Sequence, residues 1–303
     1  MTSWHVSAVV VTHEGRNGRV RRCLAALERV GGCDAVVVVD NSPAAPAADD
    51  PRTAYGPAAT ALITMPNRGY GAAANLGFEW ARRHAPDRCR AAFVLLNDDV
   101  VVREGWLPPL LEVLERDERV GAVQPKIVLA ESGSVNSVGV ELDRYYAGSD
   151  IGFGAADGPG WTGCAEIEAF SGGAVMFRSR FLDDTAGFDE RFFLYYEDVD
   201  LAARGRRLGW RYRCAPASVV DHVGSVTTVT TPDRTRYLQE RNRLWNAVAH
   251  ADAATVGRAF WLSLRRLRWA PKGVHAKALA AGVAGSPVRL WERFRRNRPA
   301  DLS

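Results

Sequence analysis

Short apolar runs alternate with segments of helical spacing along the first 125 residues or so. The runs are rich in β-branched residues, as buried strands are, and the helical segments carry an apolar residue at every third or fourth position. The predicted strands are 6–12, 35–40, 60–64 and 91–96. The predicted helices are 18–30, 71–84 and 105–117, and the Pro- and Ala-rich stretch 41–59 is a predicted loop. This alternation is typical of a parallel sheet with both faces covered.

The second half of the chain alternates more between apolar and polar positions. Its predicted strands are 121–129, 134–142, 172–178, 210–214 and 218–222. They are expected to extend the first sheet into a mixed one, and the spacing is helical from Thr231 onward. We therefore predict an α/β protein with a Rossmann-like, mostly parallel central sheet flanked by helices. The predicted domain is 1–250, with halves 1–125 and 126–250, and a helical C-terminal extension covers 251–303.

Polar residues follow three of the predicted strands. Thr12 ends the first strand, Asp40 ends the second, and Asn97, Asp98 and Asp99 follow the fourth. Ligands of open α/β sheets bind at the carboxyl ends of strands, so these side chains are expected to share one edge. Adjacent aspartates suit a cation such as Mg²⁺, which proteins hold with one or two carboxylates plus substrate phosphates. Alternatively, "DNSP" and the Asn-Asp stretch are ordinary turns.

A second acidic group opens a predicted helix that Gly209 ends. Glu197, Asp198 and Asp200 stand in its first turn, where carboxylates commonly stabilise a helix. The aromatic run "FFLYY" before them would instead hold one carboxylate rigidly, as a general base for a hydroxyl requires. The residue pattern leaves both interpretations open.

A glycine-rich segment, "NRGYGAAANLG", precedes the second long predicted helix. Gly69 and Gly71 permit close backbone approach, and a helix start favours phosphate charge. It is not the dinucleotide fingerprint, which would follow the first strand, where "VVVTHEGRNGR" stands instead. This disfavours a dinucleotide-dependent oxidoreductase.

Eight segments in this order resemble the family 2 glycosyltransferases of GT-A fold, and in particular their bacterial rhamnosyltransferase-like members. They span about residues 6–245, and "FDERFFLYYEDVDL" is the most specific of them. The segments are "VSAVVVTHE", "VVVVDNS", "NRGYGAAANLG", "LLNDDV", "FSGGAVMF", "GFDERFFLYYEDVDLAARGRRLGW", "VVDHVGS" and "RYLQERNRLW". The chain differs from the family pattern at Asp98, where relatives often have Pro, and at His13-Glu14, where they often have Tyr-Asn.

The resemblance implies a role for each matched residue. The implied catalytic residues are Asp198, as the base, and its neighbour Glu197. The implied metal ligands are Asp99 and His222, although a strand-end surface histidine is as good an explanation of His222. The implied nucleotide-sugar-binding residues are Thr12, Glu14, Asp40, Asn67, Arg68, Gly69, Asn97, Asp98, Gly172 and Gly173. Among them Asp40 would contact the nucleotide base and Asp98 the ribose. The sugar and the acceptor would meet at Gly172 and Gly173.

The activity implied is an inverting transfer that depends on Mg²⁺ or Mn²⁺. The donor would be a nucleoside-diphosphate sugar, of the dTDP-rhamnose or UDP-sugar type, and the acceptor a hydroxyl of a glycan, glycolipid or small natural product. Two alternatives stay open. One is a non-catalytic relative that binds nucleotide sugars or glycans. The other is a sugar nucleotidyltransferase, which also uses paired carboxylates and metal but gives no role to "YYEDVDL".

Composition and charge change this picture only at the C-terminus. The chain has 303 residues and a net charge of +4. Eleven Lys and Arg against Glu292 alone give the segment 258–298 a charge of +10, so the remainder carries −6. Basic residues interleaved with Trp and Phe suit an anionic membrane surface, a possibility that fits lipid-linked acceptors. Packing of this segment on the domain is the alternative, and no nucleic-acid partner is expected.

The five scattered cysteines form no CxxC pair and predict reduced thiols without a zinc site. The N-terminus lacks the pattern of a signal peptide, and no apolar run has the length of a membrane span. We therefore expect a cytoplasmic protein, with peripheral contact at the inner face of the plasma membrane as one option.

Overall fold

A computed structural model describes residues 4–13, 18–42, 51–224, 231–268 and 271–296. The strands are β1 (His5–Thr12), β2 (Ala35–Asp40), β3 (Ala61–Thr64), β4 (Ala91–Asn97), β5 (Val100–Val102), β6 (Val120–Leu129), β7 (Val135–Ser137), β8 (Val140–Leu142), β9 (Gly148–Asp150), β10 (Ala165–Glu166), β11 (Ala174–Arg178) and β12 (Arg211–His222). The α-helices are α1 (Gly18–Val30), α2 (Pro51–Tyr55), α3 (Tyr70–His84), α4 (Leu107–Arg116), α5 (Ser179–Thr185), α6 (Glu197–Arg207), α7 (Pro232–His250), α8 (Ala253–Arg266) and α9 (Lys272–Arg296).

The central sheet has the strand order β10-β12-β6-β11-β4-β1-β2-β3. Strands β4, β1, β2 and β3 are parallel to one another, and β11 enters antiparallel between β4 and β6. Alternate side chains of the parallel strands feed two apolar layers. Val9 and Phe93 pack with Phe78 of α3 on one face, and Val10 packs with Leu24 of α1 on the other. The predicted mixed sheet with covered faces is confirmed.

The register of the parallel strands brings the predicted polar residues to one edge. Thr12 pairs with Asp40 across β1 and β2, and Val11 pairs with Asn97 across β1 and β4. Strand β12 runs parallel to β6 and carries His222 at its end, and β5 pairs with it so that His222 lies opposite Val100. The strand ends thus converge on the residues that follow β4.

The structure departs from the predicted elements in three places. The predicted loop 41–59 contains the short helix α2, whose Tyr55 is buried. The predicted strand 134–142 is two short strands, because Gly139 between them takes a φ of 143°. The two predicted strands 210–214 and 218–222 are one strand, β12, with a register shift between Ala215 and Val219.

The C-terminal helices pack against one another and against the segment before α6. Gly282 and Gly285 let α9 approach Leu244 and Trp245 of α7, since a Cβ at either glycine would lie under 3 Å from those side chains. Arg289 of α9 is buried, and its guanidinium stacks over Phe192 at 4.7 Å. The division of the chain at residues 125 and 250 remains a prediction.

Candidate active site

The donor edge of the site, which we define as Thr12, Asp40 and residues 97–99, lies where β1, β2 and β4 end. The Thr12 hydroxyl donates to Asp98 Oδ2 at 2.7 Å. Burial, supported by the nearby negative charge of Asp99, raises the pKa of Asp98, although the Thr12 hydrogen bond opposes that shift. The structure therefore brings Thr12, Asp98 and Asp99 together, as the sequence predicted.

Asp99 and His222 face each other across the end of the sheet. His222 Nε2 lies 3.3 Å from Asp99 Oδ2, and His222 Nδ1 lies 2.6 Å from Asn136 Oδ1, which fixes the imidazole. Burial disfavours the charged imidazole, but the hydrogen bond and charge of Asp99 outweigh it and raise the pKa of His222. The second oxygen of Asp99, Oδ1, is buried with no hydrogen-bond partner among the described residues.

This pair fits a divalent cation. A buried carboxylate oxygen without a partner is costly, and a cation beside Asp99 and His222 would satisfy it. Within the described ranges no cluster of three His, Cys, Asp or Glu side chains is placed to hold a metal. The remaining ligands would therefore be donor phosphate oxygens and water, as is usual for Mg²⁺.

Asp40 lies at the same edge, but its carboxylate is occupied by hydrogen bonds from Ser42 and Tyr55. It is 1% exposed. Its Oδ1 accepts from the backbone N of Ser42 at 3.0 Å and from the Ser42 hydroxyl, and its Oδ2 accepts from the Tyr55 hydroxyl at 2.5 Å. Its contact with the nucleotide base therefore remains a prediction. Glu14, predicted beside it, lies outside the described residues.

The segment Asn67-Arg68-Gly69 crosses this edge and is tied to neighbouring loops. Asn41 Oδ1 accepts from the Arg68 backbone N at 3.2 Å, and Asn41 Nδ2 donates to the Gly69 carbonyl at 3.1 Å. Gly69 has a φ of 99°, and a Cβ there would lie 2.3 Å from the Phe193 carbonyl oxygen. Glycine is therefore needed at this position. The Arg68 guanidinium pairs at the surface with Glu190 at 2.7 Å.

Asp198 stands opposite the strand ends, at the start of α6. Its Oδ2 accepts from the Gly172 backbone N at 2.9 Å, and its Oδ1 accepts from the Val199 backbone N at 2.8 Å. The Tyr70 hydroxyl donates to the Gly172 carbonyl at 2.7 Å and so holds the same glycine. Burial raises the pKa of Asp198, and the two backbone N–H groups limit that rise. Gly173 accepts from the backbone N of Asn97, which links this group to the donor edge.

Glu197, next to Asp198, has a different environment. It is buried, and its Oε2 has no hydrogen-bond partner in the part of the chain that the structure describes. Burial and the negative charge of Asp198 both raise the pKa of Glu197. Burial without a hydrogen bond to Oε2 from the described residues therefore favours the protonated form of Glu197.

The turn before α6 is strained, and α7 holds it in place. Phe193, Tyr195 and Tyr196 all have φ values near +69°, a region that bulky side chains rarely adopt. Asn242 of α7 is buried and donates through Nδ2 to the carbonyls of Phe192, Leu194 and Tyr195 at 3.0, 2.9 and 2.7 Å. Strained backbone of this kind is concentrated at functional sites.

One cavity of about 340 Å³ connects the end of β4 with the start of α6, whereas Asp98 and Asp99 lie outside its lining. It is lined on the donor side by Asn97 and His222, with Gly172, Gly173 and Asp198 beyond them. Among the lining residues that sequence reasoning missed are Tyr70, Asn136, Asp150 and Gln239. Asp150 ends the three-residue strand β9, and burial raises its pKa. No sequence pattern marked these four, because tertiary contacts alone bring them to the cavity.

The sheet order and the edge of polar residues after its central strands are those of a GT-A glycosyltransferase fold, which solved structures share. The crystal structure of GalNAc-T7 with UDP, GalNAc and Mn²⁺ aligns with 98% of this chain and 58% of that chain, with a TM-score of 0.64 and 12% identity. The mannosyltransferase PcManGT from Pyrobaculum calidifontis, in complex with GDP-Man and Mn²⁺, aligns with 94% of this chain and 88% of that chain, with a TM-score of 0.55 and 15% identity.

The chain belongs to the family described as glycosyltransferase like family 2, whose sequence model matches residues 5–247. An N-acetylglucosaminyl-diphospho-decaprenol L-rhamnosyltransferase of Mycobacterium tuberculosis is 28% identical over 190 residues, which are 56% of this chain and 61% of that protein. The O-antigen biosynthesis protein RfbC of Myxococcus xanthus is 28% identical over 204 residues, 64% of this chain and 14% of that protein. The match thus spans less than two thirds of either relative. The resemblance to rhamnosyltransferase-like members is confirmed.

Proposed function

We propose that this protein is an inverting glycosyltransferase that requires Mg²⁺ or Mn²⁺. It transfers a sugar from a nucleoside-diphosphate sugar, of the dTDP-rhamnose or UDP-sugar type, to an acceptor hydroxyl. The observation that carries the proposal is the shared cavity. Asp198 lines it opposite Asn97 and His222 at the strand ends, so a donor held at the edge and an acceptor activated by Asp198 meet in one space.

The chain's own residues bind and orient the donor. Thr12 fixes Asp98 for contact with the ribose, and Asn97 holds Gly173 beside the sugar. The segment Asn67-Arg68-Gly69 lines the nucleotide and its diphosphate, and Asp40, at the end of β2, contacts the base. Asp99 and His222 would hold the divalent cation. A bound cation of this kind supplies positive charge that stabilises the leaving nucleoside diphosphate.

Asp198 acts as the general base. Two backbone N–H groups fix its carboxylate, which takes the proton from the acceptor hydroxyl as that oxygen attacks the anomeric carbon. Attack from the face opposite the leaving group inverts the anomeric centre in a single displacement. No covalent sugar–enzyme bond is needed, so a second nucleophilic carboxylate is not required.

A thermal-shift screen tests the donor site first. UDP, dTDP, GDP and their sugars are each tested with Mn²⁺, with Mg²⁺ and with EDTA. A ligand at about 100 times its Kd stabilises a fold by roughly 2.7 kcal/mol. We expect one nucleotide to raise the melting temperature in metal and not in EDTA. If no nucleotide does so, the donor assignment is wrong.

The variant Asp198→Asn then separates an enzyme from a non-catalytic relative. Turnover should fall by a factor of about 10² to 10⁴, the usual contribution of a general base, while the donor-induced thermal shift remains. Asp184→Asn, a change at a surface aspartate of α5 that lies 3.9 Å from Arg180, is the matched control. Full turnover in Asp198→Asn would exclude the assigned base.

We also propose a lipid-linked acceptor reached at the cytoplasmic face of a membrane. The mycobacterial relative is named for an acceptor on decaprenyl diphosphate. Helix α9 packs one face on α7 and exposes Val283, Leu290, Trp291 and Phe294 on the other, with Arg295 stacked over Trp291 at 4.6 Å. An exposed apolar stripe flanked by cations suits an anionic lipid surface. Among the described helices none is long and apolar enough to cross a bilayer.

Vesicle sedimentation tests this contact. The protein should bind phosphatidylglycerol vesicles, and Phe294→Ser should weaken binding several-fold because its side chain is 68% exposed on the stripe. Phe153→Ser is the control, since Phe153 is equally exposed, at 66%, but lies outside the C-terminal helices. Equal loss in both variants, or no binding by the wild type, would contradict the membrane contact.

A further inference from the structure

A second cavity lies beside the active-site cavity, where α7, α8 and α9 meet. Its volume is about 370 Å³. It shares Gly148, Tyr196 and Gln239 with the active-site cavity, and no residue at the donor edge lines it. The backbone N of Gly148 donates to the Tyr196 hydroxyl at 3.0 Å, so this contact forms the wall between the two spaces.

Cations dominate the lining of this second cavity. Arg236, Arg243 and Arg266 line it together with a single carboxylate, Glu240. Arg243 and Arg266 both pair with that carboxylate, which therefore neutralises one guanidinium and leaves an excess of positive charge. Arg236 is 3.9 Å from Asp233, near the limit of an ion pair, and half of its side chain is exposed.

His275 adds an imidazole to this lining. It stands in the first turn of α9. The first turn of a helix also carries partial positive charge from its free N–H groups. An anionic group in the cavity would therefore meet the excess of arginine charge and the positive end of α9.

We infer that this basic cavity binds a phosphate or diphosphate group of the acceptor, an inference that rests on the proposed function. The acceptor hydroxyl would lie at Asp198, and the phosphate attached to the same acceptor would pass Gln239 into the cavity. The donor diphosphate has its own place at the strand ends, near Asp99 and His222. Arginine forks recognise phosphate oxygens in two-point contacts, so the cavity selects acceptors that carry this group over neutral glycans.

Direct binding of inorganic pyrophosphate tests the cavity without any transfer. Calorimetry is done in EDTA, which weakens competition from the donor site, and is repeated with the nucleotide that the thermal-shift screen identifies. We expect wild-type protein to bind pyrophosphate whether or not nucleotide is present. The double variant Arg236→Gln, His275→Gln should bind it about tenfold more weakly, a loss of roughly 1.4 kcal/mol.

The matched control is Arg180→Gln, which also removes an exposed helical arginine 3.9 Å from an aspartate. It should bind pyrophosphate as the wild type does. The inference is overturned if pyrophosphate does not bind, if nucleotide displaces it, or if the double variant binds like Arg180→Gln. Nucleotide binding that persists in those cases would leave the proposed function standing. If no nucleotide binds, the proposed function is wrong, and so is the acceptor assignment that rests on it.

Phosphatidylglycerol vesicles distinguish an acceptor phosphate from a lipid headgroup. If the cavity serves the acceptor, the double variant should sediment with vesicles as fully as the wild type. When the acceptor is a diphosphate-linked sugar, the double variant should raise the KM for that acceptor about tenfold. It should change kcat little, because Asp198, the general base, is unchanged. A parallel loss of vesicle binding would assign the cavity to headgroups and overturn the inference.

Discussion

Two adjacent carboxyls in the cavity differ because their hydrogen bonds differ. Asp198 accepts from two backbone N–H groups, whereas Glu197 Oε2 is buried without a partner within the described residues. Hydrogen bonds to a carboxylate favour its ionised form, and burial without them favours the neutral form. A base beside a neutral acid is therefore the arrangement that this pair favours near neutral pH.

The pH dependence of turnover should follow Asp198. Its pKa is raised by burial, and only the carboxylate accepts a proton. The value of kcat/KM should therefore fall as the pH drops through that raised pKa, above the ordinary aspartate value of about 3.9. A kcat/KM profile measured with saturating metal at each pH checks this. An acid limb at the ordinary value would contradict the buried base.

Glu197→Gln should leave most of the activity in place. Glutamine has the shape of a protonated glutamate, so the substitution preserves the neutral state that burial favours for Glu197. We expect kcat to change by less than about tenfold and the acid limb of kcat/KM to stay at the same pH, because no charge beside Asp198 changes. A loss as deep as that of Asp198→Asn would show that Glu197 itself carries the proton.

At the scale of elements, the position of Asp198, the general base, depends on a strained turn that the neighbouring helix α7 stabilises. Residues 193–196 include three positive-φ positions, each costing of the order of 1–3 kcal/mol. Asn242 donates to the carbonyls of Leu194 and Tyr195 in this segment and of Phe192 before it. Gly69 permits the close approach of Phe193 to the start of α3. Helix α7 thus positions α6, and with it Asp198, without touching the reacting atoms.

Asn242→Ala should lower kcat more than it lowers donor binding. It removes the donor of the part-buried Leu194 and Tyr195 carbonyls, at about 0.5–1.5 kcal/mol per hydrogen bond, and so loosens the turn before Asp198. Leu244→Ala is the control, because Leu244 is buried on the same helix against α9 rather than against the turn. Both variants should melt earlier, but at a temperature where both are folded only Asn242→Ala should lose kcat. Equal kcat in the two would contradict the positioning role.

The sequence revealed those elements whose residues are local in the chain. The polar strand ends and the acidic start of α6 stand in short sequence patterns, and the structure brings Asn97 of the first and Asp198 of the second to one cavity. Asp150 and Asn242 could not be predicted in this way. The first ends a three-residue strand, and the second acts on a turn whose strained backbone no periodicity indicates.

At the scale of the whole molecule, a buried hydrogen bond from α6 and a buried ion pair from the segment before it connect the catalytic region to the C-terminal helices. Asp200 of α6 accepts from Arg204 Nε at 2.7 Å and lies 2.8 Å from His250 Nε2 of α7. Farther along, Arg289 of α9 pairs with Asp189 at 2.5 Å, just before the strained turn. The basic C-terminal segment is thus anchored to the catalytic domain on one face and exposed on the other. Packing on the domain is therefore observed, and contact with a membrane stays a proposal.

The stability of the protein at low pH therefore depends on the contacts of Asp200 where α6 meets α7. Burial opposes ionisation of Asp200, but Arg204 and His250 together hold its pKa far below the usual range. Its stabilising contribution is therefore present above the unfolded pKa of about 3.9 and is lost as the pH falls toward the folded value. Burial lowers the pKa of His250, so stability also declines below about pH 6.5, where the unfolded histidine gains a proton.

Asp200→Asn should cost roughly 3–5 kcal/mol at neutral pH, because it leaves the buried Arg204 without its counter-charge. Denaturant unfolding from pH 7 to pH 3 should give a difference from wild type that is constant above about pH 5 and shrinks below pH 4, where the wild type loses the same interaction. Asp184→Asn, at the surface of α5, should unfold like the wild type throughout. A difference that stays constant down to pH 3 would mean that Asp200 stabilises the junction by its shape and not by its charge.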